Sequence, residues 1–563
     1  MTAQSTMSAA RLPRHFSGQR TARNRVSSCL GLACGGAFAW FLLIALSAFC
    51  PQPVQAQTYQ DLYNFGGAAS GCCPPYPSLM AQGRDGYVYG TDSTGGTANK
   101  GMVFKIAPSG GALTTLYSFD GTHGSTPVGG LVLGVDGNLY GTTEFGGANG
   151  YGNIFKITPA GVLTVLYDFT ANADGGYPVS PLMIGADGFF YGTSYPGYAY
   201  KISPAGVFTV ITKIPGTTFG PLVQGTNGSF YGVTEFDGTK SAGTIYRITG
   251  STCTTIHSFD GPHGSYPIGG LVQGADGNFY GTTTAGGPTN AGNAGVIYRI
   301  TPAGVYTVLV NFDGVHTLGG YEAFAGLIAG ADGNLYGATI WGGQFGNGVI
   351  FAMTTDGDYS VLYSFDAPTG VGAYATPFQH TGGKIFGTTT RGGGGGKGVV
   401  YSFGDGLPSF IRLLTSSGKV GQTVGILGRG FSGASSVEFN GTPASFHVIS
   451  NTYLTATIPS GETGFIRVNM STGDLVSSTV FRVTPQLTSF SPASGKVGDT
   501  VTLTGVGLIQ SEGITVGGVA VTTYTVSSDT QVAFRVPAGA KTGAIALTTP
   551  GGKATTKVFT VTP

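Results

Sequence analysis

Charge is scarce in this chain: 27 basic and 26 acidic side chains among 563 residues leave 9% charged. So thin a distribution holds no basic stripe of the kind that follows nucleic-acid phosphates. Cysteine is scarce too, and only Cys72, Cys73 and Cys253 lie beyond residue 56. Their number is odd and their spacing fits no metal site. Adjacent cysteines close a strained ring, so which of Cys72 and Cys73 could pair with Cys253 is left open. P-loop, HExxH and nucleophile-elbow motifs are absent. Beyond residue 50 no long apolar run occurs, so the mature chain is expected to be soluble. What abounds is glycine, with 100 residues. Each glycine costs a helix about 1 kcal/mol against alanine. With 28 Tyr and 35 Phe to supply buried area, the composition predicts a folded, turn-rich, all-β protein.

The first 56 residues read as an export signal. Arg11, Arg14, Arg20, Arg23 and Arg25 precede an apolar run from Cys29 to Cys50, and Val54-Gln55-Ala56 places small residues where a signal peptidase reads. A retained membrane anchor is the rival reading, since the run approaches the roughly 20 residues that span a bilayer. A lipoprotein site at Cys50 is disfavoured by bulky Phe49. Cleavage after Ala56 removes five arginines and no acids, leaving 27 − 5 = 22 basic against 26 acidic residues, a net of −4. The expected location is secreted or associated with the cell envelope.

GVDGNLYGTT (134–143), GADGFFYGTS (185–194), GADGNFYGTT (274–283) and GADGNLYGAT (330–339) are near copies of one another. Aligning on the aromatic-glycine pair gives seven units, at Tyr89, Tyr140, Tyr191, Tyr231, Tyr280, Tyr336 and Phe386. Their spacings of 51, 51, 40, 49, 56 and 50 residues mark a repeat architecture. The second unit reads as four strands: GLVLG (130–134), LYGTT (139–143), NIFKI (153–157) and LTVLYDF (163–169). The Asp-Gly pair between the first two predicts a type I′ turn. A small sheet with two apolar faces covers both when its copies stack radially, as in a β-propeller. The seventh unit lacks its fourth strand, and TYQDLYNF (58–65) has no preceding strands of its own. Pairing the two predicts a seven-bladed propeller over 57–405, closed by its N-terminal strand with no open edge. Glycine suits the tapering inner strands and the turns, and the recurrent tyrosines are read as wedges between blades.

Units of the form GLVxGxDGNxYGTTxxGG…IFKITPAGxxTVLYSFDG resemble the tandem repeats named GloVer, found in secreted bacterial proteins with varied surface anchors. That resemblance implies no settled activity. GADGNLYG with ITPAG is similar, more distantly, to NHL-type and streptogramin-lyase propellers. From residue 406 the wording changes: SGKVGQTVGILGRGF (417–431) returns as SGKVGDTVTLTGVGL (494–508), and VEFNGTPA (437–444) as ITVGGVAV (514–521). The halves 406–484 and 485–563 suit two β-sandwiches. They resemble IPT/TIG immunoglobulin-like domains, which implies spacer, interaction or carbohydrate-associated modules.

Loops joining a fourth strand to the next first strand, and a second to a third, emerge on one propeller face. Asp120 with His123, Asp260 with His263 and Asp313 with His316 therefore share a rim. Such pairs suit the binding of a divalent metal or acid–base work, or serve as Asx turns beside solvated histidines. Glu144 and Glu235 lie near the same face. They are the repeated carboxylates that glycoside chemistry would need about 5–10 Å apart, although units two and four are not adjacent. Asp136, Asp187, Asp276 and Asp332 belong to turns, one oxygen-bearing side chain at a time, where calcium needs several converging. The third unit is shorter and loses its GG loop at SYPGYAYKI. No catalytic residue, metal or cofactor is expected. The predicted function is a non-enzymatic binding or adhesion scaffold, a monomer whose loop face meets a carbohydrate or cell-surface protein. The alternative is an extracellular lyase or glycoside-active enzyme with its site in the funnel.

Overall fold

The computed structural model describes residues 57–66, 79–288, 293–313, 319–404 and 406–563. The export signal, Cys72, Cys73 and His316 lie outside these. One compact unit runs from Gln55 to Pro563. It is all-β; among the described residues the sole helical element is a 3-10 turn, Phe431–Gly433.

Seven four-stranded antiparallel sheets occupy the repeats: 81–118, 131–168, 183–213, 223–258, 272–311, 328–364, and 378–404 joined by 58–64. The second sheet consists of Leu131–Leu133, Leu139–Thr143, Asn153–Ile157 and Leu163–Asp168. Its middle strands are buried on both faces and its outer strand is half exposed. The strand Thr58–Asn64 pairs antiparallel with Val399–Gly404, Tyr59 opposite Phe403 and Asn64 opposite Val399. The N-terminal strand thus completes the seventh sheet, as its sequence predicted.

Between sheets the repeated aromatic is the wedge. Tyr140 stacks on Phe190 at 4.0 Å and Tyr191 on Phe230 at 4.2 Å, and Tyr231 lies tilted against Phe279 at 4.1 Å, each reaching the next sheet. Tyr89 shares a core with Leu139, Tyr280 with Leu335 and Tyr336 with Ile385. Phe386 shares one with Val88, so the seventh sheet packs on the first. The glycine after the wedge has a purpose that periodicity does not reveal. A Cβ on Gly141 would come within 2.7 Å of the Phe155 ring, its cross-strand partner. In the other six units as well, the ring of the third strand lies over this glycine.

The hairpin turns correct the type I′ expectation. Gly137 is left-handed at φ 89° but Asp136 is not, whereas type I′ needs both. Gly137 N–H donates to the Gly134 carbonyl and Gly134 N–H to that of Asn138. The loop is therefore three residues long, a type I turn ending in a left-handed glycine. Asp136 stays right-handed because its carboxylate works within the turn. It accepts from Asn138 N–H at 3.1 Å and from the Tyr140 hydroxyl at 2.7 Å. Asp85, Asp187, Asp276 and Asp332 hold Tyr89, Tyr191, Tyr280 and Tyr336 alike. A Cβ on Gly134 would meet both Asp136 and Tyr140 at 2.6 Å. In the seventh unit all three positions change together: Gly382 replaces the Asp, Phe386 the Tyr, and His380 takes the place of the crowded glycine. Tyr140→Phe and Asp136→Gly are each expected to cost about 1–2 kcal/mol. In urea denaturation the double variant should cost about 1 kcal/mol less than their sum, because both remove one hydrogen bond.

Two β-sandwiches follow. In the first, Arg412–Leu413, Thr423–Leu427, Tyr453–Thr457 and Phe446–Ser450 form one sheet. Ala434–Phe439 and Ile466–Met470 centre the other, and Ile426, Phe439, Leu454 and Val468 lie between them. The second sandwich has its own core around Leu503, Val516, Phe534 and Phe559. The first is not a free spacer. Leu414, Leu427 and Tyr453 share a core with Ala81, Leu131 and Leu133 of the first two sheets. Thr452 Oγ1 donates to the Arg84 carbonyl at 2.7 Å, and the Arg84 guanidinium lies 4.4 Å from the Tyr453 ring centre.

Candidate functional site

The two classes of loop do meet on one face. Ser125, before the second sheet, bridges to Phe145 in that sheet's own loop, as Ser265 does to Ala285, Tyr321 to Trp341 and Val371 to Arg391. A left-handed residue recurs at the centre of this arrangement: Thr126 at φ 55°, Tyr177 at 50°, Tyr266 at 57°, Glu322 at 54° and Gly372 at 69°. Each donates its N–H to a carbonyl of the preceding sheet's loop, Tyr177 to Tyr151 and Tyr266 to Ala242 at 2.8 Å. Bulky residues hold such a conformation at a cost of order 1–3 kcal/mol, and it clusters where side chains are presented to ligands. Here the backbone is kept and the side chain varies, as Thr, Tyr, Tyr, Glu and Gly.

Aromatic rings gather at this position. Tyr177 packs edge-on against Phe145 at 5.5 Å, Tyr151 at 5.6 Å and Tyr195 at 6.3 Å. Phe145 is 42% exposed and Tyr195 51%. Tyr195 comes from the shortened loop of the third unit and bridges to Gly176 beside Tyr177, as Phe145 does to Ser125. A second pair, Phe236 and Tyr266, meets at 5.5 Å with both rings exposed. These residues were not singled out in the sequence, where the tyrosines that repeat drew attention. The signal that finds them is the opposite one: aromatics in loop positions where the repeat has no fixed residue.

The predicted loop residues divide. Asp120 Oδ2 lies 2.9 Å from His123 Nδ1, and its other oxygen accepts the His123 backbone N–H at 2.9 Å. Asp260 and His263 repeat this at 2.8 and 3.0 Å. The same turn recurs with Asp366 and Thr369 and no histidine, so it stands without the imidazole. The backbone N–H of His123, then its ring, hold the Asp120 carboxyl well below the usual carboxylate range. Burial pushes Asp260 up, but the His263 ring and backbone N–H outweigh it and leave it low. Both pairs are solvent-exposed, and each is closed within its own loop. The third pair, Asp313 with His316, is not compared, since His316 lies outside the described residues. Glu144 and Glu235 follow their second strands as expected, half-buried, and burial alone raises each. The third sheet stands between them, packed on the second through Tyr140 and on the fourth through Tyr191.

Comparison with known proteins adds the following. A surface glycan-binding protein from Prevotella bryantii is 20% identical over 27% of this chain and 41% of its own, with a TM-score of 0.22. A protein from a xyloglucan utilization locus of Bacteroides uniformis is 25% identical over 27% and 48%, with a TM-score of 0.15. The chain thus spans less than half the length of either. A fungal alcohol oxidase in complex with copper is 12% identical over 73% and 98%, with a TM-score of 0.43. No curated protein matches the chain. Among the described residues no helix is long and apolar enough to cross a membrane. Residues 408–483 and 485–561 are IPT/TIG domains. The Gloeobacter/Verrucomicrobia repeat matches 52–206 and 194–401, and with more than half of its residues inside that match the chain belongs to this repeat family.

Proposed function

We propose that the protein is an exported, non-enzymatic recognition scaffold: its seven sheets close as a seven-bladed propeller, and the loop face binds carbohydrate. The observation that carries this reading is the contiguous group Phe145, Tyr151, Tyr177 and Tyr195, partly exposed on one face. Aromatic faces lie flat against the C–H-bearing faces of sugar rings and give up little conformational freedom in doing so. Glu144, next to Phe145 in the chain, and Glu235, next to Phe236, supply hydrogen-bonding groups to hydroxyls. Closure is supported by the pairing of Thr58–Asn64 with the seventh sheet and by the core that the seventh and first sheets share. The non-enzymatic reading is favoured over a lyase or glycosidase because Glu144 and Glu235 stand on the second and fourth sheets, with the third packed between them. The second sandwich is then the module left to space the ring or join it to a partner.

A glycan array with the purified protein tests this, followed by titration of the strongest hit. Tyr177→Ala and Tyr195→Ala are each expected to weaken binding at least tenfold, since stacked aromatics dominate such contacts. His123→Ala, on an exposed closed turn, should change it less than threefold. A blank array, or affinity that survives the Tyr177→Ala, Tyr195→Ala double variant, overturns the assignment.

A further inference from the structure

A cavity lies away from the loop face, where the short first strands meet the first sandwich. It has a volume of about 290 Å³ and apolar walls, including Leu133, Ile184, Ile328 and Phe378 from the repeats and Leu414 and Leu427 from the sandwich. Set in this wall is one cation. Arg412 donates to the Gln379 carbonyl at 2.6 Å, and its guanidinium carbon lies 4.7 Å from the Phe378 ring centre. It makes no ion pair among the described residues. The other titratable groups nearby add no negative charge: His380 is buried and feels the positive charges of both Arg412 and Arg429.

A partly buried charge without a counter-ion is costly for a fold to hold, and burial pulls this guanidinium down to about 10 while leaving it charged at neutral pH. A methionine would fill the place and pack as well. The carbonyl contact uses one of five N–H donors and neutralises nothing. An anion arriving with an apolar body would satisfy both the walls and the cation.

We propose that this cavity binds an apolar monocarboxylate, its carboxylate on the Arg412 guanidinium and its body among the leucines. The volume is roughly twice the ~150 Å³ of an apolar cavity that takes benzene, which suits a body of about ten carbons. Straight-chain and aromatic acids share this chemistry.

Calorimetric titration of the purified protein with decanoate, 3-phenylpropionate and decan-1-ol, below their aggregation thresholds, tests the assignment. At least one acid is expected to bind one to one and at least tenfold more tightly than the alcohol; which acid prevails identifies the source. Arg412→Met should abolish that preference, and Leu133→Trp, which fills the space, should remove binding of both classes. Tyr177→Ala and Tyr195→Ala should leave it unchanged, which separates this site from the loop face. Absence of saturable binding of either acid to the wild-type protein overturns the proposal even if a variant fails to fold. Equal affinity for acid and alcohol, or a preference that survives Arg412→Met, does the same.

Discussion

Phe65→Ala is expected to destabilise the protein by about 3–5 kcal/mol, and deletion of residues 57–66 by more. Phe65 is fully buried, sharing a core with Val88 and Phe104 of the first sheet and with Phe386 and Val400 of the seventh. Its N–H donates to the Gly398 carbonyl at 2.9 Å. The strand before it reaches further. Tyr59 stacks on Tyr363 of the sixth sheet at 4.2 Å, as Phe208 stacks on Tyr167 and Tyr306 on His257 between earlier sheets. Ten residues therefore touch three sheets. Their removal exposes the edge of Val399–Gly404, an invitation to aggregation. At about 1–2 °C per kcal/mol for a chain of this size, Phe65→Ala should lower the melting temperature by roughly 3–10 °C. Gln60→Ala, on the exposed side of the strand, should leave it within about 1 °C. A melting temperature indifferent to Phe65 would show that the seam carries no load and would sink the closed ring.

Asp92→Thr is expected to stabilise the protein, and more so as pH rises. Asp92 ends the second strand of the first sheet, where the other units have Thr143, Ser194, Thr234, Thr283, Thr339 and Thr389. It is fully buried, with one oxygen accepting from the Thr94 N–H at 3.0 Å and the other unpartnered. Burial pushes its carboxyl up to about 7, against the lowering effect of Thr94. Because the folded value lies above the unfolded one, near 3.8, the acid is at ease below pH 4 and stability drains as pH rises through 7. The deficit at pH 8 is of order 3–4 kcal/mol. Threonine carries no charge and supplies the hydroxyl that in the second unit accepts a third-strand N–H at 3.2 Å. Urea midpoints should therefore diverge between pH 4 and 8, the variant gaining on the order of 2–4 kcal/mol at the upper end. A difference flat across that range would mean that Asp92 is already ionised in the fold. His380 acts with the opposite sign. Burial holds it down to about 4, so it erodes stability as pH falls from 6.5 to 4.

Much of the fold was legible in sequence because each unit states its own strands. LYGTT, NIFKI and LTVLYDF named their own boundaries to within one residue, and TYQDLYNF named its missing partner. The turn type was misread because Asp-Gly is compatible with two hairpin geometries. The choice between them rests on a tyrosine hydroxyl four residues on, which claims the aspartate. At the candidate site the Asp120–His123 and Asp260–His263 pairs were visible in sequence, and both are closed turns. Tyr177 and Tyr195 were not singled out, since they come from different units and are neighbours only after two sheets pack.

Short-range pattern settled where the strands lie, because hairpin pairing lies within about fifty residues and period-two burial is written into each segment. Only the folded chain decided which aromatics cluster, that the first sandwich packs onto the repeats, and that Arg412 faces an apolar cavity without a counter-charge. Those outcomes depend on surfaces drawn from segments tens to hundreds of residues apart, and no local rule of spacing records how such surfaces meet.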